Sequence, residues 1–482
     1  MIKSSLIDAF KTFTPQEMKE FSEFISSPFF NKNMNVIRLF EVIRKNYPDF
    51  EADKIEKEKV FRKLFPGKQY KDSTMRLVMF YLVEVVEKFI AYNRFTNDTI
   101  LYAENLLEEQ LERGLYKEFE KNIEKINKEI EKTPFKNEDY YENRFIFKNL
   151  YLDYISNFVG GKYEKYIGKE DIEFVSNNLT YYYLIRIFKF YSVTLNTMNL
   201  YNIKIDTAQF ENVIKNLYEE SHTEVPLINI YFNAVMALLK PEDEKYYYKL
   251  KELVFANENI LDTNTLSDIY INLENYCHRK GRTGVTKFNK ESIEIYKREL
   301  DSKVCFSNGI MPDAFYKSFA VTACTLEEFD VAREFIQKYK NTLKENSREA
   351  LYYFALSFLE GELKNYGEAL KHLAKIKAED VYLKMDIRSL QSRIYYSLVW
   401  TLPLQSLLDT FKKTVQNNKL IPETRKNMYL SFIKYINQLN NIREKKDFKG
   451  IKQLKESLEN EEYFPYKLWL IGKAEELILE QL

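Results

Sequence analysis

The side chains best suited to making and breaking bonds are scarce in this chain. It holds three histidines, His222, His278 and His372, and three cysteines, Cys277, Cys305 and Cys324. A zinc site asks for four His, Cys or carboxylate ligands, commonly two His one helical turn apart or a pair of closely spaced cysteines. Neither arrangement occurs, so no metal site is expected. Cys277-His278 is the one adjacent thiol and imidazole. A nucleophilic thiol needs a base held by a third group and surroundings that favour the thiolate. Nothing nearby in sequence supplies them, and the expectation is a buried structural cysteine. There is no GxSxG, HExxH or dinucleotide glycine fingerprint, and acidic pairs are too widely scattered to single any out. No catalytic residue and no cofactor is implied, and the chain is read as a non-enzyme.

One segment has another kind of chemistry. Arg279-Lys280-Gly281-Arg282-Thr283-Gly284-Val285-Thr286-Lys287 is the most basic and glycine-rich stretch. A phosphate-cradling loop would follow a strand and read GxxxxGK[ST], and neither condition is met. An exposed turn between helices is the first reading. Phosphate or nucleic-acid contact through Arg279, Lys280, Arg282, Lys287 and Lys290 is the second.

The elements that would position these groups are helices. Only 12 glycines and 11 prolines punctuate 482 residues, and the 45% hydrophobic, 30% charged composition is that of a folded chain. Such a length calls for several domains or an elongated repeat array. The 72 basic and 72 acidic residues cancel, so any attraction to nucleic acid must be local. No apolar run approaches a bilayer span, and no membrane partner is expected. The odd cysteine count and the charged first ten residues point to a cytoplasmic protein. The 37 Tyr and 36 Phe are read first as fillers of helix-pair cores and second as contact anchors.

The spacing predicts an N-terminal unit over 1–97 with four short helices. Thr14-Pro15-Gln16-Glu17 is a capping box with proline at the first helical position, and Pro28, Pro48 and Pro66-Gly67 stop successive helices. Its mild basic excess, 17 Lys/Arg against 13 Asp/Glu, raises the alternative of a nucleic-acid-binding regulator acting through these helices or the basic segment. None of the helices shows a dense groove-reading face. Degenerate helical pairs are predicted over 98–300, including helices near Thr99–Arg113, Glu138–Phe158 (closed by Gly160-Gly161) and Tyr181–Met198. Over 301–482 a repeat appears. Phe329, Ala332, Ile336 and Tyr339 recur as Tyr366, Ala369, Leu373 and Ile376, and Leu404, Leu407 and Phe411 are placed as the continuation. A small residue among large ones lets two helices approach closely.

This pattern resembles the second helix of a tetratricopeptide repeat, with Ala320, and Ala355 with Phe358, at the small and bulky positions of the first. The resemblance covers 312–380 well and 98–131 and 400–460 loosely. The signature Trp and Gly of the first helix are missing, and Gly361 to Asn365 lengthens the turn. With Ser27-Pro28-Phe29-Phe30-Asn31 and Tyr395-Tyr396-Ser397-Leu398, the chain is also similar to a set of uncharacterised bacterial helical proteins. The tetratricopeptide likeness implies an all-α solenoid of antiparallel helix pairs, whose first helices line a groove for a protein or peptide partner. Lys317 and Val321, then Tyr352, Tyr353 and Leu356, fall at such groove positions. The Lys, Asn and Arg set that grips a C-terminal carboxylate in some relatives is absent, which implies an apolar, aromatic-lined contact.

Overall fold

A computed structural model of the chain describes residues 4–51, 53–159, 167–201, 208–221, 225–282, 285–419, 421–446, 450–461 and 464–481. Among them lie 23 α-helices and no β-strand, only an isolated bridge between Ser307 and Ile310. The fold is all-α. The chain divides into two compact units, Met1–Lys132 with Asn149–Tyr166, and Thr133–Lys148 with Ile167–Leu482.

The first unit opens with five helices where four were expected, because Ser5–Lys11 precedes the predicted cap. At Pro15–Ser26 the capping box forms as read. Thr14 N donates to Glu17 Oε2 at 2.7 Å, and Glu17 N donates to Thr14 Oγ1 at 3.2 Å. Met34–Arg44 and Lys57–Leu64 follow, and the 26-residue helix Asp72–Asn97 then supplies Met75, Val78, Leu82, Val85, Val86 and Phe89 to a shared core. Those residues recur on one face at helical spacing, so a single long helix can seal four short ones. Phenylalanines fill the centre. Phe21 meets Phe40 edge-on at 4.8 Å and Phe89 at 5.2 Å, the geometry the ring quadrupole favours. In the motif Ser27 to Asn31, Phe30 stacks on Phe24 at 3.9 Å and Asn31 ties down the backbone, while Phe29 stands out into solvent. Thr99–Glu112 and Tyr116–Glu131 then form a helical pair.

The second unit continues in pairs. Asp313–Thr325 packs on Phe329–Tyr339, Glu345–Glu362 on Tyr366–Leu373, and Val381–Ser397 on Thr401–Asn417. Each first helix also packs against the first helix of the next pair. Ala332 and Ala369, the small residues of the two predicted repeats, are both fully buried in the core of these pairs. A three-residue connection joins each pair, and one backbone conformation recurs in all three. Its first residue is right-handed, its middle residue left-handed (Glu327 φ 60°, Lys364 φ 62°, Val399 φ 58°), and its third leads into the next helix. The same turn joins Thr99–Glu112 to Tyr116–Glu131, with Gly114 at φ 70°.

Each turn is closed by a bond reaching back five residues: Leu115 N to Gln110 O at 2.8 Å, Glu328 N to Ala323 O at 2.9 Å, Asn365 N to Glu360 O at 2.8 Å, and Trp400 N to Tyr395 O at 3.0 Å. This is the Schellman closure, which satisfies carbonyls left open at a helix end. The turns correct two readings. Gly361 belongs to the helix, packed on Leu390, so the connection is no longer than the others. Leu404 occupies the place of Ala369, so the register of the third pair is shifted by three residues. Leu408 and Phe411 then follow in the core, and Leu407 is only half-buried.

Candidate functional site

The predicted groove residues sit on the first helices of consecutive pairs. Lys317, on Asp313–Thr325, extends its ammonium to Asp386 on Val381–Ser397, Nζ to Oδ2 2.6 Å. Those two helices flank Glu345–Glu362, so the ion pair bridges elements that lie on either side of a third. Both side chains are about two-thirds buried, a setting in which a pair gains more than the marginal worth of a solvated one. Sequence spacing could not reveal Asp386, 69 residues away, as this partner.

Tyr352 and Tyr353 are half-buried neighbours on Glu345–Glu362 that face different groups. Lys340 Nζ lies 4.1 Å from the centre of the Tyr352 ring, and Tyr353 stacks with His372 at 5.9 Å. Burial and the nearby Lys375 lower the His372 pKa. Val321 is half-buried against the core, whereas Leu356 is 8% exposed and a member of the core itself. The five residues therefore divide. Lys317, Tyr352, Tyr353 and Val321 keep accessible surface, and Leu356 supports them from beneath. On the next first helix Tyr382 lies under the Arg425 guanidinium at 5.0 Å, which adds an aromatic that the sequence analysis did not single out.

The basic segment is not one loop. Helix Thr263–Arg282 runs through Arg279, Lys280 and Gly281, and helix Lys287–Ser302 starts with Lys287. Arg279 Nη1 donates to Leu238 O at 3.0 Å, and burial lowers its pKa. Lys280 donates to Pro241 O at 3.2 Å and pairs with Glu244 at 3.4 Å. Lys287 pairs with the other Glu244 oxygen at 2.5 Å, which draws the Glu244 carboxyl below its ordinary value. Three of the five cations are thus engaged by this unit, largely through one glutamate. Lys290 is exposed, and the side chain of Arg282 with Thr283-Gly284 lies outside the described residues, as do His222 and Gly160-Gly161.

The Cys277-His278 dipeptide splits between two partners. Cys277 Sγ donates to Tyr247 Oη at 3.2 Å, and burial pushes the thiol up to about 12. His278 Nε2 lies 2.6 Å from Tyr296 Oη. Cys305 and Cys324 are buried free thiols, also pushed up to about 12. Among the described residues no three His, Cys, Asp or Glu side chains are grouped to hold a metal ion, and no helix is long and apolar enough to cross a membrane.

Two features escaped the sequence analysis. The first is a carboxyl pair: Glu299 is buried, Glu274 is half-buried within hydrogen-bonding reach of it, and burial raises both above their ordinary value. Glu299 falls on the stripe Phe288, Ser292, Ile295, Tyr296, a register that could have flagged it. The second is a cleft of about 710 Å³ in the first unit, lined by Lys45, Lys54, Lys59, Arg62 and Lys63 together with Asp53, Asn46 and Val42. Lys54 and Lys59 are paired with Glu51 and Glu56 at its rim. No protein-family model, curated protein or solved structure matches the chain.

Proposed function

We propose that this protein is a non-enzymatic, cytoplasmic scaffold that binds a segment of a partner protein across the first helices Asp313–Thr325, Glu345–Glu362 and Val381–Ser397. The observation that carries this reading is the Lys317–Asp386 bridge with Tyr352 and Tyr353 on the helix between. It places a cation, an anion and half-exposed rings on neighbouring first helices, on a backbone held by repeated turns. An apolar or aromatic side chain of the partner gains area against the tyrosines, while its charged groups compete for Lys317 or Asp386. The resemblance to tetratricopeptide repeats supports the same face.

The test is partner recovery with tagged wild-type protein and with Lys317→Glu and Tyr352→Ala. A discrete protein retained by wild type after nuclease treatment, and lost from both variants while each remains folded by circular dichroism, is the expected result, with Lys317→Glu melting lower because it sets a second carboxylate against Asp386. Equal retention by the variants counts against this face. A second reading, a nucleic-acid-binding regulator, draws on the lysine- and arginine-lined cleft of the first unit. It requires binding that weakens steeply with salt and is reduced by Arg62→Glu with Lys63→Glu. No retention of nucleic acid at low salt removes it.

A further inference from the structure

The helix Lys169–Tyr201, at 33 residues the longest described, takes no part in the surfaces above. One face is buried through Leu184, Ile185, Phe188 and Leu195, and the helix packs against Ala208–Ser221, Pro226–Leu239 and Thr263–Arg282. Its opposite face is bare. Ile172, Leu179, Tyr183, Phe190 and Val193 are between 43% and 60% exposed, and Ser176, Arg186 and Thr197 complete the same exposed row. From 172 to 197 the steps alternate four and three, the seam spacing of a two-stranded coiled coil. At 1.5 Å per residue the seam is about 37 Å long. A row of five large apolar side chains in water marks an interaction face rather than scattered surface.

The geometry points to a second copy of this chain as the occupant, its Lys169–Tyr201 helix running antiparallel across the seam. Antiparallel pairing about the midpoint sets Leu179 against Phe190 of the second copy, Ser176 against Val193, Ile172 against Thr197 and Tyr183 against Arg186. Three layers match a larger side chain with a smaller one, and the central layer lays a guanidinium on an aromatic face. Parallel pairing would instead stack Arg186 on Arg186 and Phe190 on Phe190. The Arg186 charge is already half answered by Glu138, Nη1 to Oε1 3.2 Å, which lessens the cost of covering it. The flanking positions bring Glu173 beside Thr194 and Lys189 beside Tyr182, so no like charges meet. A helix pair of this length buries on the order of 1,000 Å² over both copies, the lower edge of a specific interface. Micromolar self-association follows.

The test is sedimentation velocity on the full chain from about 1 to 100 µM, with melting temperature measured alongside. A concentration-dependent dimer is expected, with dissociation raised at least tenfold by Phe190→Glu at unchanged monomer melting temperature. Leu179→Cys combined with Phe190→Cys should give a covalent dimer on mild oxidation. Leu179→Cys alone should not, because its two copies would lie about 16 Å apart, beyond disulfide reach. Three results overturn the proposal: a monomer throughout the range, a dimer indifferent to Phe190→Glu, or equal cross-linking by Leu179→Cys alone. A monomer that Phe190→Glu destabilises would show that the chain itself covers the seam.

Discussion

The core of residues 6–89 and the pair Thr263–Arg282 with Lys287–Ser302 are both rich in aromatic rings, yet they solve burial differently. In the first, Phe10, Phe13, Phe21, Phe24, Phe40 and Phe89 meet ring to ring, and among the described residues none that is buried carries a charge. In the second, the buried rings apart from Phe288 are tyrosines with work for their hydroxyls. Tyr296 meets His278 and Tyr270 donates to Glu258, while Tyr247, on the adjoining helix Lys245–Asn257, takes the Cys277 thiol and donates to Glu291. Beside them burial raises the Glu274 and Glu299 carboxyls above their ordinary value. A hydrocarbon core tolerates misregister at the cost of contact area alone. A polar core must place each donor on its acceptor or leave a buried group unsatisfied.

The contrast can be broken most forcefully at Phe21. Phe21→Ala should destabilise the first unit by about 3–5 kcal/mol, with a cavity among rings that cannot collapse around it. Denaturant unfolding followed by a probe in that unit measures the loss.

In the polar core the sign reverses. Glu299→Gln should raise stability on the order of 2 kcal/mol at pH 8, since the unfolded chain releases a proton that the folded chain holds. The folded value lies above the ordinary 4.5, so the stability from keeping that proton is complete below about pH 4.5 and is lost as pH rises toward the folded value. Wild-type melting temperature should therefore fall between about pH 5 and pH 9 more steeply than that of Glu299→Gln. Parallel curves would refute the protonated pair.

Between these extremes stands the helix crossing at Ala369. Ala369→Leu should cost about 1–3 kcal/mol by overpacking, whereas an unchanged midpoint would mean the crossing is loose. The smallest effect belongs to the turns. Val399→Gly should gain about 1 kcal/mol, because a β-branched residue at φ 58° is strained. Gly114→Ala should lose a similar amount, about 1 kcal/mol, both read from thermal unfolding.

The sequence disclosed most where a small residue interrupts a large stripe. Phe329–Ala332 and Tyr366–Ala369 were legible because an alanine set among large apolar residues at helical spacing marks the point where two helices cross closely. The third pair was misread by three residues because Leu404 takes the alanine's place, and Thr401 stands where the other pairs have an aromatic. The helix predicted over Tyr181–Met198 begins twelve residues earlier, at Lys169, where Asp171 Oδ2 accepts from Gly168 N at 2.8 Å. Arg279 and Lys280 resemble a loop only while the carbonyls of Leu238 and Pro241 are unknown. Of the proposed groove, the positions on each helix were readable, but the Lys317–Asp386 bridge was not, since pairing across 69 residues leaves no periodic trace.

The recurring turn has a consequence for how such a chain changes over generations. Its closure is made entirely by residues within six positions, and its middle residue is exposed whether it is Gly114, Glu327, Lys364 or Val399. The tips at 327, 364 and 399 are 37 and 35 residues apart. Recombination between two such tips would delete or duplicate the second helix of one pair together with the first helix of the next and rejoin the chain in an identical local conformation. The molecule is thus cut at points where its gene can be spliced, so that length can vary two helices at a time while these turns stay the same.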